Sequence, residues 1–167
     1  MSASSSVGTV PRTCRGEPDF KRAGFGMPDD NHMDPGPYLR TIPRMFEAVR
    51  TECGDDIQLL SGDDFTTYPQ MAIGGVGCVS VVSNLDPQTM SELVAAGTAG
   101  DVERARRLHQ KVQPLARMLF SEPNPVPTKV AASILGWCKP DVRAPLYVPS
   151  EDFIDLMGDI IEDYGLL

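Results

Sequence analysis

The stretch "LLSGDDFTTYPQMAIGGVGCVSVVSN", Leu59 to Asn84, constrains the fold more than any other part of the chain. It runs apolar into Ser61-Gly62-Asp63-Asp64, crosses a short amphipathic segment, meets a glycine cluster at Gly74-Gly75 and runs apolar again into Ser83-Asn84. Two short apolar runs with a helical segment between them indicate parallel βα units, whose strands are buried on both faces and so lack polar alternation. The pattern predicts strands at Ile57–Leu60 and Val76–Val82, with a short helix in "DDFTTYPQMAIGG". Each strand ends in small polar residues, where an α/β protein keeps its chemistry.

The flanks differ. Residues 1–38 hold Pro11, Pro18, Pro28, Pro35 and Pro37 and almost no apolar periodicity, so they are expected to be irregular or disordered. From Leu39 the sequence "LRTIPRMFEAVRTECGDD" predicts a helix with Met45, Phe46 and Val49 on its apolar stripe, stopped by Gly54. After Asn84 only helices are expected. Asp86 caps the first, with Pro87 at its first position and Met90, Leu93, Val94 and Gly97 on one face. The second opens at Asp101, buries Val102, Ala105, Leu108, Val112, Leu115 and Leu119, and is kinked by Pro114. A third starts after Pro127 and ends at Gly136. Ser150 caps the last, with Ile154, Met157 and Ile161 on its inner face.

A chain of 167 residues with a formal charge of -8 suits one domain, or part of a larger one, and its summed field repels nucleic acid and anionic membranes. No run reaches the roughly 20 apolar residues of a membrane helix, and the start lacks the apolar core of a secretory signal, so a cytoplasmic protein is expected. Cys14, Cys53, Cys78 and Cys138 are scattered without a C-x-x-C pair, which signals neither a metal site nor a disulfide framework. Cys78 is expected in the core and His109, beside Arg106 and Arg107, on the solvated surface. The signatures G-x-S-x-G, H-E-x-x-H and G-x-x-x-x-G-K-[ST] are absent.

Four motifs resemble a known family at its order and spacing: "LLSGDD", "GGVGCVSVVSN", "AGDVERARRLHQKVQPLARMLFSEPNPVPTKVAASILGW" and the terminal "DYGLL". They are similar to the C-terminal half of dihydrodipicolinate synthase, the 4-hydroxy-tetrahydrodipicolinate synthase of lysine biosynthesis, over about residues 39–167. The resemblance implies the α/β class and the last strands of a (β/α)8 TIM barrel followed by a C-terminal helical extension. Such a barrel alone occupies about 250 residues. On this basis residues 39–100 carry the final βα units, with strands seven and eight at Ile57–Leu60 and Val76–Val82, and residues 101–167 carry the extension. The family condenses pyruvate with aspartate semialdehyde through a lysine Schiff base, with no cofactor or metal. Backbone near the residues matching Gly62 and Val79 lines its pyruvate pocket, and glycine permits close approach there.

Two family features are missing. The Schiff-base lysine belongs to a "G-I-K-E-A" strand, but the corresponding window "MDPGPYLRTIP", Met33–Pro43, holds no lysine. The chain's lysines are Lys21, Lys111, Lys129 and Lys139, of which Lys129 matches one in the helical extension. The earlier strands, with the family's catalytic tyrosines and threonines, have no counterpart. "VPRT", Val10–Thr13, is similar to the family's carboxylate-binding "V-P-S-R-T-G" with one residue missing; either Arg12 is that arginine or the match arises by chance. No catalytic residue is thereby identified. The expected function is that of a truncated synthase-like lyase, inactive alone. The alternative is a non-catalytic fragment that associates with full-length synthase subunits or forms a homo-oligomer.

Overall fold

The computed structural model describes residues 35–167, with side chains from Ile42 onward. The expectation of irregular structure before residue 35, and with it Arg12, Cys14, Lys21 and His32, lies outside the described residues. The chain divides into two units, Met1–Ile57 and Gln58–Leu167. In the first, helix α1 spans Pro35–Cys53 and so begins four residues before the expected Leu39. Its end is as predicted, because Gly54 takes φ 58° and donates its amide to the Arg50 carbonyl at 2.9 Å. Arg50 secures the turn by donating to the Gly54 carbonyl at 3.1 Å and pairing with Asp55 at 2.9 Å.

The second unit begins with β1, Leu60–Ser61, followed by α2, Thr67–Ala72, and β2, Gly77–Cys78. The strands pair in parallel with Leu60 opposite Gly77 and Ser61 opposite Cys78. Both are much shorter than their apolar runs. The carboxyl end of the second run is not extended at all: Val82–Asn84 forms a 3-10 turn. Nor are the runs buried on both faces, since Ile57, Leu60, Val76 and Val79 are 37%, 52%, 43% and 68% exposed. Periodicity records which side chains prefer cover, whereas cover itself needs neighbouring strands, and the described sheet has only two.

The helices follow their local signals closely. Helix α3, Pro87–Thr98, starts where the Asp86 carboxylate accepts the Thr89 amide and Pro87 occupies the first turn. Helix α4, Val102–Leu119, is capped by Asp101 and passes through Pro114. Helix α5, Val126–Ile134, starts one residue before Pro127. Helix α6, Glu151–Tyr164, has Ser150 at one end and Gly165, at φ 88°, at the other. Leu93 of α3, Val112, Leu115 and Leu119 of α4, and Met157 and Ile161 of α6 are fully buried in one core. Val102 is the exception among the expected core residues of α4, being 60% exposed at the first helical position. Leu108 and Ile154 are half-buried against the same core.

One polar cluster ties three helices together. The Asp86 carboxylate that caps α3 also accepts from the Tyr164 hydroxyl of α6 at 2.9 Å, across 78 residues of sequence. Lys111 of α4 donates to the Thr89 hydroxyl at 3.1 Å, stands 3.6 Å from Asp86 and lies 4.9 Å from the centre of the Tyr164 ring. Burial pushes the Asp86 carboxyl up, but hydrogen bonds from Thr89 and Tyr164 and the Lys111 charge together hold it below the ordinary 3.8. Burial, reinforced by the Asp86 partner, pushes the Tyr164 phenol above its ordinary 10.0.

The signs are opposite at the two pH extremes. The Asp86 contribution is present above about pH 3.8 and is lost as the pH falls below it; the Tyr164 contribution is present below pH 10 and is lost as the pH rises beyond it. Tyr164→Phe should lower unfolding stability by about 1 kcal/mol at pH 7, the worth of one hydrogen bond, and remove the decline above pH 10 expected of wild type in denaturant titrations.

Candidate functional site

The segment Ser61–Asp64 leaves β1 and turns at once into a buried polar network. The Ser61 hydroxyl donates to the Asp63 carbonyl at 2.8 Å and accepts the Asp63 amide at 3.2 Å. Asp63 accepts the Phe65 amide at 3.1 Å and the Thr66 hydroxyl at 3.1 Å, while Gln70 donates to Thr66 at 2.8 Å. Ser61, Asp63, Asp64, Thr66, Thr67 and Gln70 are all buried. Burial raises the Asp63 carboxyl above its ordinary value, against the Phe65 and Thr66 hydrogen bonds and with the neighbouring Asp64 adding to the rise.

Asp64 joins the two halves of the site. Its Oδ2 accepts the amides of Val81 at 2.9 Å and Val82 at 3.2 Å, the last residues of the second apolar run. A carboxylate facing two successive amides satisfies donors that would otherwise be orphaned at the start of the 3-10 turn. Its Oδ1 is buried without a hydrogen-bond partner in the protein. The chain beyond is pinned by Ser80, which accepts the Ser83 amide at 2.9 Å and, through its carbonyl, the Ser83 hydroxyl at 2.9 Å.

This frame presents Gly62 and Val79. Because Ser61 stands opposite Cys78, Gly62 and Val79 follow side by side beyond the carboxyl ends of two parallel strands. Gly62 is exposed, and a Cβ built there would meet no protein atom within 4 Å, so no close packing inside the chain demands glycine. Val79 donates its amide to the Ser61 carbonyl at 2.7 Å, which commits that amide to the ladder. Neither residue lines the groove of about 310 Å3 beside the sheet, whose walls include Leu60, Gly77, Cys78, Met90 and Val94.

The remaining sequence candidates fall elsewhere. Cys78 is half-buried against the core, and burial pushes its thiol up, opposed by a hydrogen bond with Thr67. His109 is not the solvated residue expected. It is half-buried, with its ring centre 6.0 Å from that of Tyr68 and Gln113 at 3.3 Å, and burial holds its pKa below the ordinary 6.5. Charged neighbours in sequence conceal this, because α2 lays Tyr68 over the face that carries His109. Among the described residues no cluster of three metal-ligating side chains occurs.

With this geometry in place, comparison with known proteins gives a single outcome. The family model described as the dihydrodipicolinate synthetase family matches residues 40–163. The chain belongs to this family. Its relatives include 4-hydroxy-tetrahydrodipicolinate synthase of Thermodesulfovibrio yellowstonii, 42% identical over 126 residues, or 75% of this chain and 43% of that one. The corresponding synthase of Syntrophus aciditrophicus is 40% identical over 127 residues, 76% of this chain and 43% of that one. Among solved structures, dihydrodipicolinate synthase of Thermotoga maritima superimposes with a TM-score of 0.73 at 35% identity, covering 77% of this chain and 43% of that one. The enzyme of Acinetobacter baumannii, solved with pyruvate, gives 0.70 at 32% identity over 75% and 43%. The family chain described here thus spans about two fifths of the length of the curated relatives it matches.

The sequence reading singled out Gly62 and Val79 of the synthetase-family motifs and missed Asp64 as the residue that holds their two loops together. The doubled aspartate of "SGDD" was the available signal, but the amides it would meet lie 17 and 18 residues away. Asp64→Ala should cost about 2 kcal/mol, because it leaves the part-buried Val81 amide and the buried Val82 amide unpaired. Asp64→Asn should cost less, since its carbonyl oxygen can replace Oδ2. Chemical denaturation measures both, and hydrogen exchange at Val81 and Val82 should speed up in the alanine variant first.

Proposed function

We propose that this chain is the C-terminal portion of a 4-hydroxy-tetrahydrodipicolinate synthase, contributing the rim of a pyruvate pocket but unable to carry out the condensation alone. On this reading residues 39–100 are the last βα units of a (β/α)8 barrel and residues 101–167 its helical extension, in a cytoplasmic protein. The observation that carries it is the register that sets Gly62 and Val79 side by side beyond the carboxyl ends of two parallel strands in a chain of this family. Ligands of parallel α/β sheets bind at that end, where loops can vary without disturbing the packed strands. The solved synthase of Acinetobacter baumannii with pyruvate supports pyruvate as the ligand class.

The complete reaction needs a lysine amine to attack the pyruvate ketone and lose water, giving an iminium that accepts electrons when the methyl group is deprotonated. The resulting enamine carbon then attacks the aldehyde. The described lysines are poorly placed for the first step: Lys111 is held by Thr89 and Asp86 in the helical layer, Lys129 lies within α5, and Lys139 follows it. What the chain contributes is the strand-end backbone at Gly62 and Val79, held by the Asp64 clamp. Arg12 enters this proposal as the arginine for a carboxylate through its sequence context alone.

The second reading, a non-catalytic subunit partner, is favoured by the exposed aliphatic side chains of Leu60 in β1, at 52%, and of Val79 just beyond β2, at 68%. The two readings agree that the isolated chain forms no Schiff base. Intact mass after incubation with pyruvate and borohydride should therefore show no adduct, beside a full-length family synthase that labels. An adduct on Lys21, Lys111, Lys129 or Lys139 would overturn the reading.

A further inference from the structure

Gly97 stands in the last turn of α3 without the positive φ that Gly100 takes just beyond it, so backbone conformation does not call for glycine there. Space does. A Cβ built at Gly97 would stand 2.8 Å from Met71 Cε and 3.0 Å from Met71 Sδ, nearer than packed atoms approach, so the thioether of Met71 fills the room a side chain would take. Helices α2 and α3 therefore meet sulfur against backbone. Of the four methionines in the second unit, Met90, Met118 and Met157 are 3%, 5% and 0% exposed, and Met71 alone is half-buried. The sulfur that holds the contact is thus the one a small reagent in solution can reach.

The contact supports the strand-end frame from behind. At the carboxyl end of α2 the Gln70 carbonyl accepts the Ile73 and Gly75 amides at 3.2 and 2.8 Å, and the Met71 carbonyl accepts the Gly74 amide at 3.1 Å, which together turn the chain toward β2. The Gln70 side chain donates to the Thr66 hydroxyl, which in turn donates to the Asp63 carboxylate beside Asp64. A shift at Met71 reaches the turn into β2 through one set of bonds and the Asp63 network through the other.

A peroxide supplies the chemistry. The thioether sulfur attacks one peroxide oxygen and forms an S–O bond as the O–O bond breaks; the sulfur is oxidised by two electrons, and the proton of the transferred hydroxyl passes to the departing hydroxide, which leaves as water. The product is polar and chiral where an apolar, flexible side chain stood. Because the amides of α3 are committed to the helix ladder, the new oxygen finds no donor against Gly97 and turns to water. We infer that Met71 is a sulfoxidation site for hydrogen peroxide whose oxidised form cannot stay seated on Gly97, so that α2 lifts from α3 and the strand-end frame loosens. A methionine sulfoxide reductase reverses the change by releasing the oxygen as water while its dithiol closes to a disulfide. The inference stands whether or not the chain takes part in the condensation, because it concerns the support beneath Gly62 and Val79.

The test is exposure of the full folded chain to hydrogen peroxide, followed by peptide mapping and amide exchange. A small-molecule dithiol added before each measurement returns oxidised cysteines to thiols and leaves the sulfoxide in place. Met71 should gain its oxygen at least about tenfold faster than Met90, Met118 and Met157, and exchange at Gly74, Gly75, Val81 and Val82 should then quicken about tenfold while the amides of α4 and α6 keep their rates. Reductase with its dithiol should restore the original exchange. Met71→Leu keeps the apolar bulk without the sulfur and should make the same amides indifferent to peroxide. Met71→Gln, which places a polar oxygen in the contact, should quicken them with no peroxide at all.

Oxidation of Met71 no faster than that of the three buried methionines overturns the inference. So does a Met71 sulfoxide that leaves exchange at Gly74–Val82 unchanged, or a Met71→Leu chain that still loosens there under peroxide.

Discussion

The Asp64 carboxylate is the constraint on which the candidate site depends. Strands β1 and β2 share only a brief ladder, too short to fix the loops beyond their ends by backbone pairing alone. By accepting two successive amides at Val81 and Val82, Asp64 anchors the turn after the second strand to the turn after the first. The network around Asp63, Thr66 and Gln70 then holds Asp64 itself in place by fixing the start of α2. Buried polar groups are stabilising only when their partners are nearly complete, and here they couple loop geometry to a core they do not belong to.

That core is helical. α4 packs against both α3 and α6, and the apolar faces of these three close around Leu93, Leu115, Leu119, Met157 and Ile161. The Asp86, Lys111 and Tyr164 cluster fastens the same three helices at their polar margin. The sheet receives much less protection, with its aliphatic residues facing solvent. The second unit is therefore a well-packed helical layer carrying an incompletely covered pair of strands, an arrangement in keeping with its two-fifths share of its relatives' length.

Helix ends were legible because their causes are local. Asp86, Asp101, Ser150 and Gly54 each act within a few residues, and each caps the helix end its type and position indicate. The strands were legible as to place and sense but not as to extent, since a strand ends where its partner does. Leu60 and Val79 read as core residues because apolar sequence registers a preference for cover without recording whether cover is present. His109 was misread for the complementary reason: its charged neighbours in sequence point away, while Tyr68 of another helix covers it.

By itself the sequence determined the family, the order of helices and strands, and the pair of strand-end positions Gly62 and Val79, because these depend on local propensity and on motifs whose spacing survives in one dimension. Only the tertiary structure decided that Asp64 joins the two strand-end loops and that Tyr164 closes on Asp86 across the helical layer. Each of these is a meeting of groups distant along the chain, fixed by packing and by the need to pair buried donors and acceptors.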